Sequence, residues 1–345
     1  MESYTLDKDI TRSVVLTGCG WITPFAGGTI GEVLSVARNI DPNPPPEGEF
    51  SSVPGSILAQ AISVPLECQR DRQAWLAAAA IESACADARL SLDRLRGTDV
   101  GLAIGCGLAG LLGMIDFAND VRDQSARFVS PIRFPQTVGN YPAGAIARGF
   151  GIRGPSVTLA AGVASSAEAI LVGAEMLLSG SAAIVLAGGA ETYSSAIAQG
   201  MRRTGASPSE CACFFVLERG NSPRAASRPP LALLNPGDDR GADHPVDVVS
   251  TAGFARPGAV FIQHWLGDTL GAAAASALAA AVGAVHGMPV PWATDFPSPA
   301  VQVRAVEQPT SPLPGRKPAS ARVVVGLDET NSVTVNARVP SPTSA

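Results

Sequence analysis

Lysine is nearly missing from this chain: of 25 basic residues only Lys8 and Lys317 are lysines, and the rest are arginines. Both lie in polar terminal segments, so no lysine is placed to act as a buried catalytic amine in the body of the sequence. Histidine is almost as scarce, with His244, His264 and His286 far apart. Aromatic residues make up 5% of the chain and charged residues 16%. The net charge is −5 and no basic stripe is present, which argues against a nucleic-acid partner. No apolar run reaches the roughly 18–20 residues that a membrane helix needs. The opening MESYTLDKDITR lacks the apolar stretch of a secretory signal, so the cytosol is the expected compartment. The glycine clusters GCGLAG (105–110) and LAGGAE (186–191) complete neither a G-x-G-x-x-G fingerprint nor a P-loop, and no cofactor is expected.

What is present is apolar and small. Hydrophobic residues account for 46% of 345, with 36 glycines and long alanine runs. Such a chain folds around a large core built from small side chains brought close together. The six cysteines (19, 68, 85, 106, 211 and 213) have no paired C-x-x-C spacing and sit in apolar surroundings. They read as reduced, buried fillers, Cys106 among them, and Cys211-x-Cys213 has no ligand cluster beside it to hold a metal.

Along the chain, SVVLTG (13–18) reads as a buried strand and IGEVLSVAR (30–38) as a helix, followed by a Pro-rich loop over 41–56. AWLAAAAIESACADARL (74–90) is a buried helix of strong formers, and DVGLAIGCG (99–107) the next strand. A glycine-closed helix follows from 140. Then VTLAAGV (157–163), ASSAEAILVGAEMLLSG (164–180) and SAAIVLAGGAE (181–191) give strand, helix and strand, the last ending in a Gly-Gly turn. That is a βαβ unit and implies a buried parallel sheet. CACFFVLE (211–218) adds a strand, and 219–230 reads as a linker. LALLNPGDD (231–239), RPGAVFIQ (256–263), an alanine-rich helix over 267–287 and a hairpin over 320–339 repeat the same logic in reduced form, before a frayed tail at 340–345. Ser165 and Ser166, in the first turn of their helix, read as caps.

Four of these pieces, RSVVLTGCGWITP (12–24), Asn140 to Ser156, GPSVTLAAGVASSAEAI (154–170) with GSAAIVLAGGAE (180–191), and CACFFVLE, together resemble a β-ketoacyl synthase. The resemblance implies an α/β thiolase-like fold of two related βαβαβ halves, layered α-β-α-β-α, with 1–218 as the first half and 231–339 as a shortened second. It also implies a set of catalytic positions, and here they are changed. The family's nucleophilic cysteine, activated at the start of a helix, corresponds to Val163, which has no heteroatom. The second histidine, expected in a Gly-His pair, corresponds to Asp268, and the lysine before it to Gln263. His264 does not take the histidine's place in that register. The first histidine has no counterpart, and the closing loop reads GLDETNSV (326–333) without its gating aromatic.

Five changes together resemble the chain-length factor, the ketosynthase β subunit of type II polyketide synthases, although the glutamine usual at the nucleophile position in that branch is absent. The resemblance implies a non-catalytic subunit that pairs with an active ketosynthase and shapes the acyl tunnel at their interface, with the acyl carrier protein reached through the partner. On the segment LAGLLGMIDFANDV (108–121), Leu111, Met114 and Ala118 fall at i, i+3 and i+7 and are the expected tunnel-lining positions. The alternative is a stand-alone thiolase-fold acyltransferase or hydrolase with relocated catalytic residues.

Overall fold

The structure is a computed structural model that describes residues 13–40, 50–63, 71–203, 206–234, 266–286 and 288, with strand backbones at 246–251, 259–261, 300–304, 320–326 and 332–338. In chain order the strands are β1 (Val14–Ile22), β2 (Gly27–Gly28), β3 (Val100–Gly105), β4 (Ser156–Leu159), β5 (Ile184–Glu191), β6 (Cys211–Arg219), β7 (Ala232–Leu234), β8 (Val246–Thr251), β9 (Ala259–Phe261), β10 (Ala300–Arg304), β11 (Ser320–Gly326) and β12 (Ser332–Arg338). The helices are α1 (Ile30–Ala37), α2 (Gly55–Ala61), α3 (Arg72–Asp87), α4 (Leu111–Gln124), α5 (Tyr141–Phe150), α6 (Ser165–Leu178), α7 (Ser195–Arg202) and α8 (Ala273–Val285).

β1 runs past the end expected at Gly18, through Gly20, to Ile22. Its glycines are packing residues. A Cβ on Gly18 would collide with Ala84 O and lie 2.5 Å from Ala88 N; one on Gly20 would collide with Ala80 O and lie 2.5 Å from Ala84 N. The stripe Ala80, Ala84, Ala88 of α3, at successive helical turns, therefore lies directly on the strand. This close approach is what the abundance of alanine and glycine achieves. A bulge between Leu16 and Gly18 in the pairing with β6 shifts the side-chain alternation, so Leu16, Cys19 and Trp21 all face one core and Ile22 the other.

The first half orders its strands β4-β3-β5-β6-β1, with β3 parallel to β4 and β5, as the expected βαβ unit requires. β5, β6 and β1 then alternate antiparallel. Both faces are buried: Val185, Ala187, Cys213 and Phe215 point into one core, and Ile184, Leu186, Phe214 and Val216 into the other. The strand expected to begin at 231 is the short β7, confined to Ala232–Leu234. It pairs with β1 on one side and β12 on the other, so the strands of both halves join in one twelve-stranded sheet.

Helices α3 and α5 cover the outer face of the first half, while α6 and α8 pack together between the two sets of strands. Of the five layers expected, four are seen among the described residues; no described helix covers the outer face of the second half's strands. Beyond residue 230, the buried residues of α8 from Ala273 to Val282 commit it to the inner layer. The stretch 219–230 is stapled to the first half. Arg224 pairs with Glu218 and donates to Thr17 Oγ1 (3.0 Å) and Ala88 O (2.7 Å), and Arg228 donates to Asp87 O (2.7 Å). Two guanidiniums thus serve the free carbonyls at the end of α3.

Candidate functional site

β4 ends at Leu159, earlier than expected, and Val163 falls in a short 3-10 turn, Gly162–Ala164, that leads into α6. The turn is held by Ser165, whose Oγ accepts from Ala161 N (2.9 Å) and donates to Gly162 O (2.7 Å). Val163 packs as a partly buried hydrocarbon against the core. Ser166 does not cap its own helix: its Oγ accepts from Ala275 N (3.1 Å) in the first turn of α8. Each hydroxyl beside the nucleophile position is thus occupied in structure.

The turn is packed against Leu270–Ala272, the 3-10 segment that precedes α8, so the structure brings Val163 together with the stretch that follows Asp268. Asp268 is paired with the backbone of 207–209: its carboxylate accepts from Ser207 N, and its carbonyl from Ser209 N (3.0 Å) and Tyr193 Oη (2.8 Å). Burial raises its pKa against the pull of the Ser207 amide. Gln263, His264 and the loop 327–331 lie outside the described residues. Cys106, fully buried, has its thiol pushed well above its usual pKa, first by desolvation and then by Glu191, so it stays protonated and inert. Among the described residues no three of His, Cys, Asp or Glu converge as metal ligands, and no helix is long and apolar enough to cross a membrane.

Glu191 is the functional group that sequence reading passes over. β5 does not turn at Gly188-Gly189 but continues to Glu191, whose carboxylate accepts from Gly107 N (2.7 Å), Leu108 N (3.4 Å) and Gly271 N (2.9 Å). The available signal was an acid at the end of a wholly apolar strand. Beside it lies a cavity of about 250 Å³ bounded by Asp71, Gln73, Leu112, Asp116, Glu191 and Thr192, among others. Gln73 donates to Ala190 O (2.7 Å), and the buried Thr192 hydroxyl has no hydrogen-bond partner among the described residues.

Burial holds the Glu191 carboxyl up at about 7, from an ordinary 4.5, although the surrounding amides pull it down. The folded chain then keeps a proton that the unfolded chain has released. Stability is expected to fall by about 3 kcal/mol as pH rises from about 4.5 to 7, and to level off above that. Glu191→Gln should flatten most of this slope in urea titrations at pH 5, 6, 7 and 8. The carboxyls of Asp71 and Asp268, raised by burial in the same direction, leave a residual slope.

The three positions expected to line a tunnel stand on α4, Leu111 partly buried and Met114 and Ala118 exposed. The cavity meets the adjacent face of that helix, through Leu112, Gly113 and Asp116. Seven large apolar side chains are exposed among the described residues, and five of them (Met114, Phe128, Ile132, Phe134 and Val138) belong to α4 and the segment after it. Ile132 is 81% exposed and Phe128 71%. Phe134 meets Phe117 edge-on at 6.0 Å between ring centroids. Among the described residues β4 pairs only with β3, its outer edge is unpaired, and the buried Thr158 hydroxyl on it has no partner.

Residues 59–218 match the β-ketoacyl synthase, N-terminal domain family. A 3-oxoacyl-[acyl-carrier-protein] synthase 2 of Rhizobium meliloti (strain 1021) is 28% identical over 211 residues, which cover 52% of this chain and 47% of that protein. The chain therefore spans less than half the length of that curated relative. Among solved structures, the ishigamide ketosynthase/chain length factor superposes with a TM-score of 0.65 at 20% identity, covering 95% of this chain and 99% of the other. A type II polyketide synthase acyl-carrier protein in complex with its ketosynthase bound to the hexaketide gives 0.67 at 14% identity, covering 96% and 100%. At these identities the two likenesses speak for the fold, which is that of the thiolase-like ketosynthases.

Proposed function

We propose, from the match of residues 59–218 to the β-ketoacyl synthase N-terminal domain family, that the chain is a non-catalytic subunit of the chain-length-factor kind. In this reading it pairs with an active ketosynthase and lines part of the acyl tunnel at their interface while a polyketide chain grows. The observation that carries the reading is the turn at Val163. A hydrocarbon stands where the nucleophile belongs, and the neighbouring Ser165, Ser166 and Cys106 are bonded into the structure or buried as protonated thiol. Acyl transfer through a thioester needs a nucleophile at that helix start, and valine supplies none.

A partner is supported by the concentration of exposed apolar side chains on α4 and residues 128–138, together with the open edge of β4. Patches of that kind and unpaired edges mark association surfaces. The acyl carrier protein would deliver its chain to the partner's cysteine, and the growing end would enter along α4.

Leu111, Met114 and Ala118 lie on one side of that helix, and in a tunnel running along it an aromatic ring in place of the small Ala118 side chain would narrow the bore. Ala118→Phe, reconstituted with the active ketosynthase, should shorten the product while leaving the pair intact on size exclusion. An unchanged product distribution from an intact pair would remove Ala118 from the tunnel.

A further inference from the structure

α4 has an unusual anchorage. None of its residues from Leu111 to Gln124 is buried, so its own side chains hold it only loosely to the core. Its position depends on how the helix is started, and that start is tightly built. Gly110, in the left-handed region at φ +76°, caps the helix; Leu111 N bonds Leu108 O (2.9 Å) and Met114 N bonds Gly110 O (2.9 Å). The two residues ahead of this turn, Gly107 and Leu108, both donate their amides to Glu191.

The same carboxylate accepts from Gly271, in the turn that opens α8. Three chain segments from distant parts of the sequence thus meet on one side chain. The space between them admits only bare backbone. A Cβ on Gly107 would lie 2.6 Å from Glu191 Oε2 and from Leu270, and one on Gly271 would collide with Gly107 N and lie 2.7 Å from Glu191 Oε2. Both glycine backbones approach the carboxylate more closely than any side chain would allow, and the amides of Gly107, Leu108 and Gly271 all end on it.

We infer that Glu191 is a positioning residue: it locks the leading turn of α4 to the Leu270–Ala272 turn, so that the second half sets where α4 stands. The tie itself follows from the geometry. Its consequence for product length rests on the tunnel reading of α4 proposed above. Ser166, holding Ala275 N, makes a second and separate tie from the first half to α8.

Amide hydrogen exchange on the full chain at pH 8, where the carboxylate is ionised, tests the tie without reference to any product. In Glu191→Gln, protection at Gly107, Leu108 and Gly271 should fall roughly tenfold to a hundredfold, the α4 amides should follow, and β1 and β6 should keep theirs. Ser166→Ala should release Ala275 while sparing Gly107 and Leu108. If α4 keeps its protection in Glu191→Gln, or if β1 and β6 lose theirs equally, the positioning role is overturned. Should Glu191→Gln fail to fold, Glu191→Asp keeps the charge on a shorter arm and should loosen the same three amides. In the reconstituted pair, Glu191→Gln should broaden the product lengths without reducing acyl loading of the partner. Loosened amides with an unaltered product distribution would uphold the tie and refute its part in chain length.

Discussion

Gly20→Ala is expected to cost the fold about 3 kcal/mol or more, the upper end for overpacking a core. The added methyl would collide with the carbonyl of Ala80 and lie 2.8 Å from Ser83 Cβ, on a helix that is buried over most of its length. Neither partner is the free end of a flexible side chain, so α3 must lift away from β1. That lift opens the contact along the whole Ala80, Ala84, Ala88 stripe and disturbs Gly18, which is equally close. With total stabilities of about 5–15 kcal/mol for folded domains, one methyl removes a large share. Thermal and urea unfolding of Gly20→Ala against the parent chain measure it. A midpoint unchanged within error would show that α3 does not rest on the strand as closely as described. Gly200→Ala, at a position with open space around it, is the control and should change little.

Ile132→Asp with Phe134→Asp should abolish pairing with the active ketosynthase while leaving this chain folded. Both side chains are more than half exposed, so replacing them removes little from the core. At a desolvated interface each would bury a charge without a partner, and truncations at such positions cost about 2 kcal/mol or more apiece. Two together imply a loss of pairing of at least about a thousandfold at 1.4 kcal/mol per tenfold. Co-expression followed by size exclusion reads the outcome. A stable 1:1 pair from the double variant would place the interface elsewhere on the molecule.

Much of the first half is legible in the sequence. α3 announces itself through an unbroken run of strong helix formers, and the β4–α6–β5 unit through its strand–helix–strand spacing. Glycine is where the reading goes astray. At positions 18, 188 and 189 it looks like the end of a strand, yet each serves a close approach by another part of the chain: α3 for Gly18, β6 for Gly188, and Gly271 for Gly189. Nothing in the local pattern separates a turn glycine from a packing glycine, because the deciding atoms come from far along the chain. The same distance hides Glu191, whose donors lie 84, 83 and 80 residues away. Periodicity on α4 picks one face, through Leu111, Met114 and Ala118, but cannot tell that the cavity lies against the neighbouring face at Leu112 and Asp116. The strand read from LALLNPGDD is there as β7, but its place as the seam between β1 and β12 depends on partners far along the chain and is not legible locally. At Val163 the helix start expected from the sequence is present, two residues before α6 begins at Ser165, although the strand before it ends sooner.

In a pair made of one active and one non-catalytic subunit, only the active chain carries the acyl group. Co-purified with an active ketosynthase and incubated with acyl-loaded carrier protein, the two subunits can be separated and weighed intact by mass spectrometry. The expected result is an acyl adduct on the partner's cysteine and none on this chain, whether paired or alone. An adduct on this chain, mapped to any residue, would contradict it and make the protein an acyltransferase with relocated chemistry.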